Sequence, residues 1–361
     1  MLNWRDPRNP LAGGAERVTE AYLRALLARG HEVAWFANAF KGASREEDLD
    51  GLRVVRGGGK FTSWLSARRW VRQQEPFDLI MDQHHGIPWY APWWAKTRVV
   101  AYIHEVLGPI WSSFYPWPIS ALGRWQERCT LRRYRHTPFW TGCQFTCDQL
   151  RALGVESVTP VSYGISTQVL SELDEKSLME PVRLIVVSRL APNKRVGHAI
   201  HALSQLREQG VKAHLRIVGD GQERAALGQL VEKLKLQGEV EFSGQLSEEQ
   251  KDATLREAHL LLHTSVREGW GLNVTEANAM GTPAVVYPVP GLEETTLHGR
   301  TGLVSKEESP ESLAIAVQSV LKKQEEYQKW RDAARDRARS LHWDNVLPGA
   351  CDQLEAWARG Q

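Results

Sequence analysis

In the second half of the chain, short apolar runs alternate with stretches of helical spacing. Arg183-Leu-Ile-Val-Val187 reads as a buried strand, and Val196, Ala199, Ile200, Leu203 and Leu206 then recur at the spacing of one helix face. His214-Leu-Arg-Ile-Val218 is a further strand, followed by a helix marked by Leu227, Leu230, Val231 and Leu234. Val240-Glu-Phe242, His259-Leu-Leu-Leu-His263 and Ala284-Val-Val-Tyr287 continue the series. Ser247-Glu-Glu-Gln250 has the capping-box pattern that opens a helix. Ser309-Pro310 places proline at a first helical position, ahead of the apolar line Leu313, Ala316, Val317 and Val320. Strands alternating with helices in this way imply a parallel, doubly wound sheet.

The first half repeats the rhythm less cleanly. Strands are expected at 31–37, 78–81, 98–103 and 139–142, and a helix over 15–29 carries Val18, Tyr22 and Leu26 on one side. Residues 165–181 are polar, acidic and without strong periodicity, and read as the connection between two domains. The stretch 327–361 reads as helical and aromatic. A Rossmann-like half normally opens with a full buried strand, yet only Met1-Leu-Asn-Trp4 precedes the loop that ends at Gly13-Gly14. The expectation is an unusually short first strand, with a late assigned start codon as the explanation.

A chain of 361 residues is long for a single core, and its 42% apolar and 24% charged content is that of a globular protein. A net charge of +2 gives no general electrostatic reason to bind nucleic acid. No apolar run reaches the length of a membrane span, and no signal-peptide pattern opens the chain, so a cytoplasmic location is expected. Cys129, Cys143, Cys147 and Cys351 are too few for a disulfide framework and read as free thiols. Eleven of the fifteen tryptophans precede residue 141, so the two halves are built differently.

The candidate chemistry sits where strands end. Glu268 and Glu276 lie eight positions apart around a glycine-rich turn, Glu268-Gly-Trp-Gly-Leu-Asn-Val-Thr-Glu276, between two apolar runs. The first falls in a loop at a strand's C-terminal end, where open α/β sheets bind ligands, and the second on the following helix. Eight helical residues would separate them by ~12 Å. Ser188-Arg189-Leu-Ala-Pro-Asn-Lys194 follows the strand at 183, and its two cations suit a diphosphate as well as a solvated loop. Gly13-Gly14 before the first helix allows close backbone approach by an anion, or is a plain turn. Gly219-Asp220-Gly221 is explained by a tight turn. His104 ends the run Val99-Val-Ala-Tyr-Ile-His104, and His84 and His85 follow a strand similarly. Asp48-Leu-Asp50 lies in an acidic stretch without strand context and does not read as a metal site.

From residue 95 to 140 the chain is basic and aromatic. Arg124, Arg128, Arg132, Arg133 and Arg135 interleave with Trp111, Trp117, Trp125 and Tyr134. Contact with anionic lipid headgroups through residues 110–140, a phosphate-bearing acceptor, and a solvated helix with aromatic core contacts all fit this pattern.

Taken together, these ordered motifs resemble the retaining, nucleotide-sugar-dependent glycosyltransferases of family 4 (glycosyl transferases group 1). The likeness covers most of residues 1–345 and is strongest over 183–302. It implies the GT-B fold, α/β with two Rossmann-like domains whose parallel sheets face a central cleft. The implied division is 1–165 on the acceptor side, 182–326 for the nucleotide sugar, and 327–361 crossing back to the first domain. The implied reaction moves a sugar from a nucleoside-diphosphate sugar to the hydroxyl of a carbohydrate or lipid-linked acceptor, with no metal or other cofactor. His104, Glu268, Arg189 and Lys194 take catalytic roles in this reading. Gly13, Gly14, Gly269, Gly271, Leu272, Asn273 and Glu276 bind substrate, with Glu276 on the ribose. Ser188 stands where the family often has glycine. The alternatives are a nucleotide-sugar epimerase of similar shape and a non-catalytic nucleotide-binding module. A nicotinamide-dependent oxidoreductase would want a Gly-x-Gly-x-x-Gly fingerprint that the N-terminus lacks.

Overall fold

The computed structural model describes residues 1–59, 62–108 and 110–361 and divides into two compact units. The first comprises residues 1–111, 117–164 and 343–361, and the second 112–116 and 165–342.

In the first unit, β1 (Ala34–Ala37), β2 (Glu46–Leu49) and β3 (Leu52–Arg56) form one row of strands. A second, parallel row contains β4 (Leu79–His84), β5 (Arg98–Ile103), β6 (Phe139–Thr141) and β7 (Val158–Pro160). Leu2 joins the rows, pairing in parallel with Phe36 of β1 and Asp82 of β4. Its amide donates to the Met81 carbonyl at 2.8 Å, and the Phe36 amide donates to Met1 at 2.8 Å. The opening residues therefore stand in the place of a central strand. Gly13 and Gly14 follow that strand, on the edge where the chain order reverses.

Three local differences from the sequence reading have physical causes. β4 runs on from Met81 through Asp82, Gln83 and His84, all buried, although their polarity conceals a strand. Asp82 is satisfied internally. It accepts from the amides of Trp89 and Ala91, both at 2.9 Å, and from the Tyr134 hydroxyl at 2.7 Å. The acidic stretch at 46–50 is an antiparallel hairpin against β3, closed by the Gly51 amide on Asp48 Oδ1 at 2.8 Å. His84 is core, edge-on to Tyr134 and Phe139, and burial lowers its pKa to about 3.

The second unit is a six-stranded parallel sheet of β8 (Val182–Val187), β9 (Ala213–Val218), β10 (Val240–Gly244), β11 (Leu260–His263), β12 (Ala284–Val286) and β13 (Gly302–Val304). Its spatial order is β10-β9-β8-β11-β12-β13. The chain lays β9 and β10 on one side of β8, then crosses to lay the rest on the other. The topological switch point thus falls between β8 and β11, and loops leaving their C-terminal ends diverge there. Strands covered on both faces read as continuous apolar runs, which is why β8, β11 and β12 were plain in the sequence.

The helix Gln324–Ser340 belongs to the second unit, whereas Trp343–Arg359 belongs to the first. The transition therefore falls after His342 rather than at 327. Tyr327 explains the difference, since its hydroxyl donates to the His259 carbonyl at 2.8 Å, and Arg331 Nε donates to the Gly281 carbonyl at 3.1 Å. Within the first unit, Trp357 packs against Trp140, with ring centroids 5.8 Å apart and planes tilted by 51°.

Candidate functional site

The loops leaving β8 and β11 are tied into one assembly. After β8 the chain passes Ser188 and Arg189 and makes a short 3-10 turn, Pro192–Lys194. Arg195 then takes a left-handed conformation, φ 48°, and opens the next helix. Its guanidinium donates to the carbonyls of Thr264 and Ser265, each at 2.8 Å, and to Glu308 at 2.7 Å. In return the Thr264 hydroxyl donates to the Lys194 and Arg195 carbonyls at 2.9 and 3.0 Å. The Val266 amide closes on the Asn193 carbonyl at 2.8 Å. These bonds hold Lys194 against the segment that carries Glu268.

Lys194 Nζ pairs with Glu268 Oε1. The Ser265 hydroxyl donates to the same oxygen at 2.7 Å, and His263 Nε2 lies 3.5 Å from it. Burial opposes ionisation of Glu268 most strongly. Lys194, His263 and the Ser265 hydroxyl together outweigh it and hold the carboxyl below the usual range. His263 is neutral at physiological pH because burial lowers its pKa to about 4. Val187, Ser188, Lys194, His263 and Asn273 line one small cavity. Arg189 is exposed and makes no ion pair among the described residues.

Two glycine contacts shape these loops. A Cβ at Gly219 would come within 1.9 Å of the Ser188 carbonyl oxygen, so the Gly219-Asp220-Gly221 turn lies directly against the Arg189 loop. A Cβ at Gly291 would come within 2.3 Å of the Glu268 carbonyl oxygen. Sequence reasoning treated the first as a turn and missed the second.

Glu276 lies on the helix Leu272–Ala279, whose N-cap Gly271 is left-handed at φ 89°. Only residues 272–276 of the interval from Glu268 are helical, so the ~12 Å separation expected of eight helical residues does not apply. Gly269 and Gly271 belong to the turn, and the helix start leaves the Leu272 and Asn273 amides without intrahelical partners. The Asn273 side chain donates to the Val187 carbonyl at 2.7 Å, tying this helix to the end of β8. Glu276 is buried, and its Oε2 accepts from Lys251 Nζ at 3.0 Å. Lys251 also meets Glu248 at 2.6 Å and is itself buried. Its partner was invisible in the sequence, because 25 residues separate Lys251 from Glu276.

Gly13, Gly14 and His104 lie in the first unit. Gly13 caps the helix Gly14–Ala28, and its amide donates to Glu16 Oε2 at 2.7 Å. A Cβ at Gly13 would meet nothing nearer than that oxygen at 3.9 Å, so packing does not require glycine there. His104 directly follows β5, with both ring nitrogens engaged. Nε2 lies 2.8 Å from the Gln83 amide nitrogen, and Nδ1 lies 2.6 Å from the Tyr163 hydroxyl. Burial, then His85, lowers its pKa to about 3, so the ring is neutral. A Cβ at Gly142 would strike the Tyr163 ring at 2.3 Å, so glycine there makes room for the histidine's partner. All four cysteines are free thiols.

Two family models match the chain. Residues 12–169 match the one described as Glycosyltransferase Family 4, and residues 172–337 the one described as Glycosyl transferases group 1. The chain belongs to family 4 of the glycosyltransferases and has the GT-B fold. It is 25% identical over 398 aligned residues to a glycogen synthase of Mycobacterium tuberculosis, covering 100% of this chain and 95% of the relative. Sucrose-phosphate synthase from Thermosynechococcus elongatus superposes with a TM-score of 0.81 at 18% identity, covering 100% of this chain and 98% of that one. HepE from Anabaena, solved in complex with UDP and glucose, superposes with a TM-score of 0.74 at 16% identity, covering 98% and 99%. Among the described residues, no helix is long and apolar enough to cross a membrane.

Proposed function

We propose that this glycosyltransferase moves a hexosyl group from a nucleoside-diphosphate sugar to an acceptor hydroxyl, with retention of anomeric configuration and without a metal. The Lys194–Glu268 pair at the switch point carries the reading. It sets a fixed cation and an ionised carboxylate side by side where an α/β sheet binds ligands. The bond from the anomeric carbon to the leaving phosphate oxygen breaks, and the acceptor oxygen bonds to that carbon on the same face. The acceptor proton passes to the phosphate. Lys194, the exposed Arg189 and the amides at Leu272 and Asn273 receive the charge that grows on the diphosphate. Glu268 orients the sugar hydroxyls, Glu276 the ribose hydroxyls, and His104 contacts the sugar as a neutral group. Gly13 and Gly14 let the backbone approach the diphosphate. The glycogen synthase relative and the complex of HepE with UDP and glucose support a nucleotide-linked donor and a role in polysaccharide or glycoconjugate synthesis.

Thermal-shift titration with UDP, GDP, ADP and their sugars tests donor binding, since a ligand that favours the native state raises the melting temperature. One nucleotide series should stabilise the protein, and no shift with any of them would refute the reading. Glu276→Gln should weaken that nucleotide roughly tenfold or more, as expected for loss of hydrogen bonds to a charged acceptor. Equal affinity would remove Glu276 from the ribose. Transfer activity should survive exhaustive EDTA treatment, and its abolition and rescue by a divalent ion would overturn the metal-free mechanism.

A further inference from the structure

The helix Ile119–Arg133 in the first unit buries Glu127, Thr130 and Leu131 along one side. Its outward side opens with large apolar side chains, where a solvated helix is polar. Ile119, Leu122 and Trp125, spaced three apart, are 53%, 62% and 64% exposed, and Trp117 just before the helix is 80% exposed. Large apolar side chains gathered on a surface mark a binding face rather than ordinary scatter. One turn further along, Arg128 and Arg132 are exposed. Glu127 is the single acidic residue between positions 110 and 135, against five arginines. It is turned inward, accepting the amides of Leu107 and Gly108 at 2.7 and 3.0 Å. The helix therefore presents apolar bulk at its start and only positive charge at its end.

We propose that this helix docks the first unit onto an anionic lipid bilayer. Trp117, Ile119, Leu122 and Trp125 enter the boundary between headgroups and acyl chains, and Arg128 and Arg132 meet lipid phosphates. Indole rings favour that boundary because an apolar body and a polar N–H are both accommodated there. A second copy of the chain fits less well, since pairing two such faces would bring their arginines together. The surface uses none of the residues proposed to contact the donor.

Co-sedimentation of the full chain with vesicles of phosphatidylcholine plus phosphatidylglycerol, and of phosphatidylcholine alone, tests this. Binding should require phosphatidylglycerol and weaken as salt rises. Trp117→Ser/Trp125→Ser and Arg128→Glu/Arg132→Glu should each weaken it roughly tenfold or more. Melting temperatures close to the parent's are expected, because every replaced side chain faces water. Equal binding to both vesicle types, salt-independent binding, or variants that bind like the parent would overturn the proposal. So would sedimentation velocity showing a dimer that the tryptophan changes dissociate.

Discussion

Replacing Lys194 with alanine should lower turnover by roughly 30- to 1000-fold, the range expected when a group that stabilises transition-state charge by about 2–4 kcal/mol is lost. Lys194→Arg, which keeps the charge, should recover part of it. Unchanged turnover in the alanine variant would take Lys194 out of the mechanism. The pH–rate profile gives a second readout. Burial disfavours the Glu268 carboxylate, and Lys194 is the first of the groups that reverse that preference. Without the lysine, the first of the groups that oppose burial is gone and the Glu268 pKa rises, so the acid limb of the profile should move to higher pH. The same linkage predicts a stability change. A carboxyl whose pKa is depressed by folding stabilises the fold above its unfolded pKa and loses that contribution as pH falls through the folded value. The alanine variant lacks this contribution at neutral pH, so its melting temperature should fall there and converge on the parent's in acid.

Asp6→Ala should destabilise the first unit by about 3–5 kcal/mol, which lowers the melting temperature by roughly 6–20 °C in a unit of this size. Asp6 and Arg56 are 0% and 2% exposed and form a two-pronged pair, Nε to Oδ2 at 2.8 Å and Nη2 to Oδ1 at 2.7 Å. Removing the carboxylate leaves a buried guanidinium with Glu47, at 2.9 Å, the Ser44 carbonyl, at 3.1 Å, and the face of the Phe40 ring as its remaining partners among the described residues. Desolvation without the main counter-charge is the source of the cost. Asp6→Leu with Arg56→Met, which removes both charges, should restore much of the loss. Tryptophan fluorescence during thermal melting reports on this unit, since most tryptophans lie in it. A fall of under about 1 kcal/mol would show that the pair contributes little. The same carboxylate accepts the Arg8 amide at 2.9 Å, so it also shapes the loop leading to Gly13.

Both experiments rest on groups of different legibility. Lys194 and Glu268 were visible as candidates because each follows an apolar strand within a few residues. Asp6 and Arg56 were not, because a buried ion pair is made from residues 50 apart and neither carries a local signal. The strand containing Asp82, Gln83 and His84 was read short for a related reason. Its polar residues satisfy their hydrogen bonds inside the protein, with partners that only folding supplies. His104 is legible in the sequence from its position at a strand end. Its holders, Gln83 and Tyr163, come from elsewhere in the sequence.

The sequence by itself determined the doubly wound character of the second unit, the loops that bear chemistry and the family, because hydrophobic period and turn residues are local properties. Tertiary structure alone decided that Lys194 faces Glu268, that Lys251 faces Glu276, and that Ile119, Leu122 and Trp125 stay in water while Glu127 turns inward. Those outcomes depend on which distant groups desolvate one another, and burial and charge pairing across separated segments leave no periodic trace along the chain.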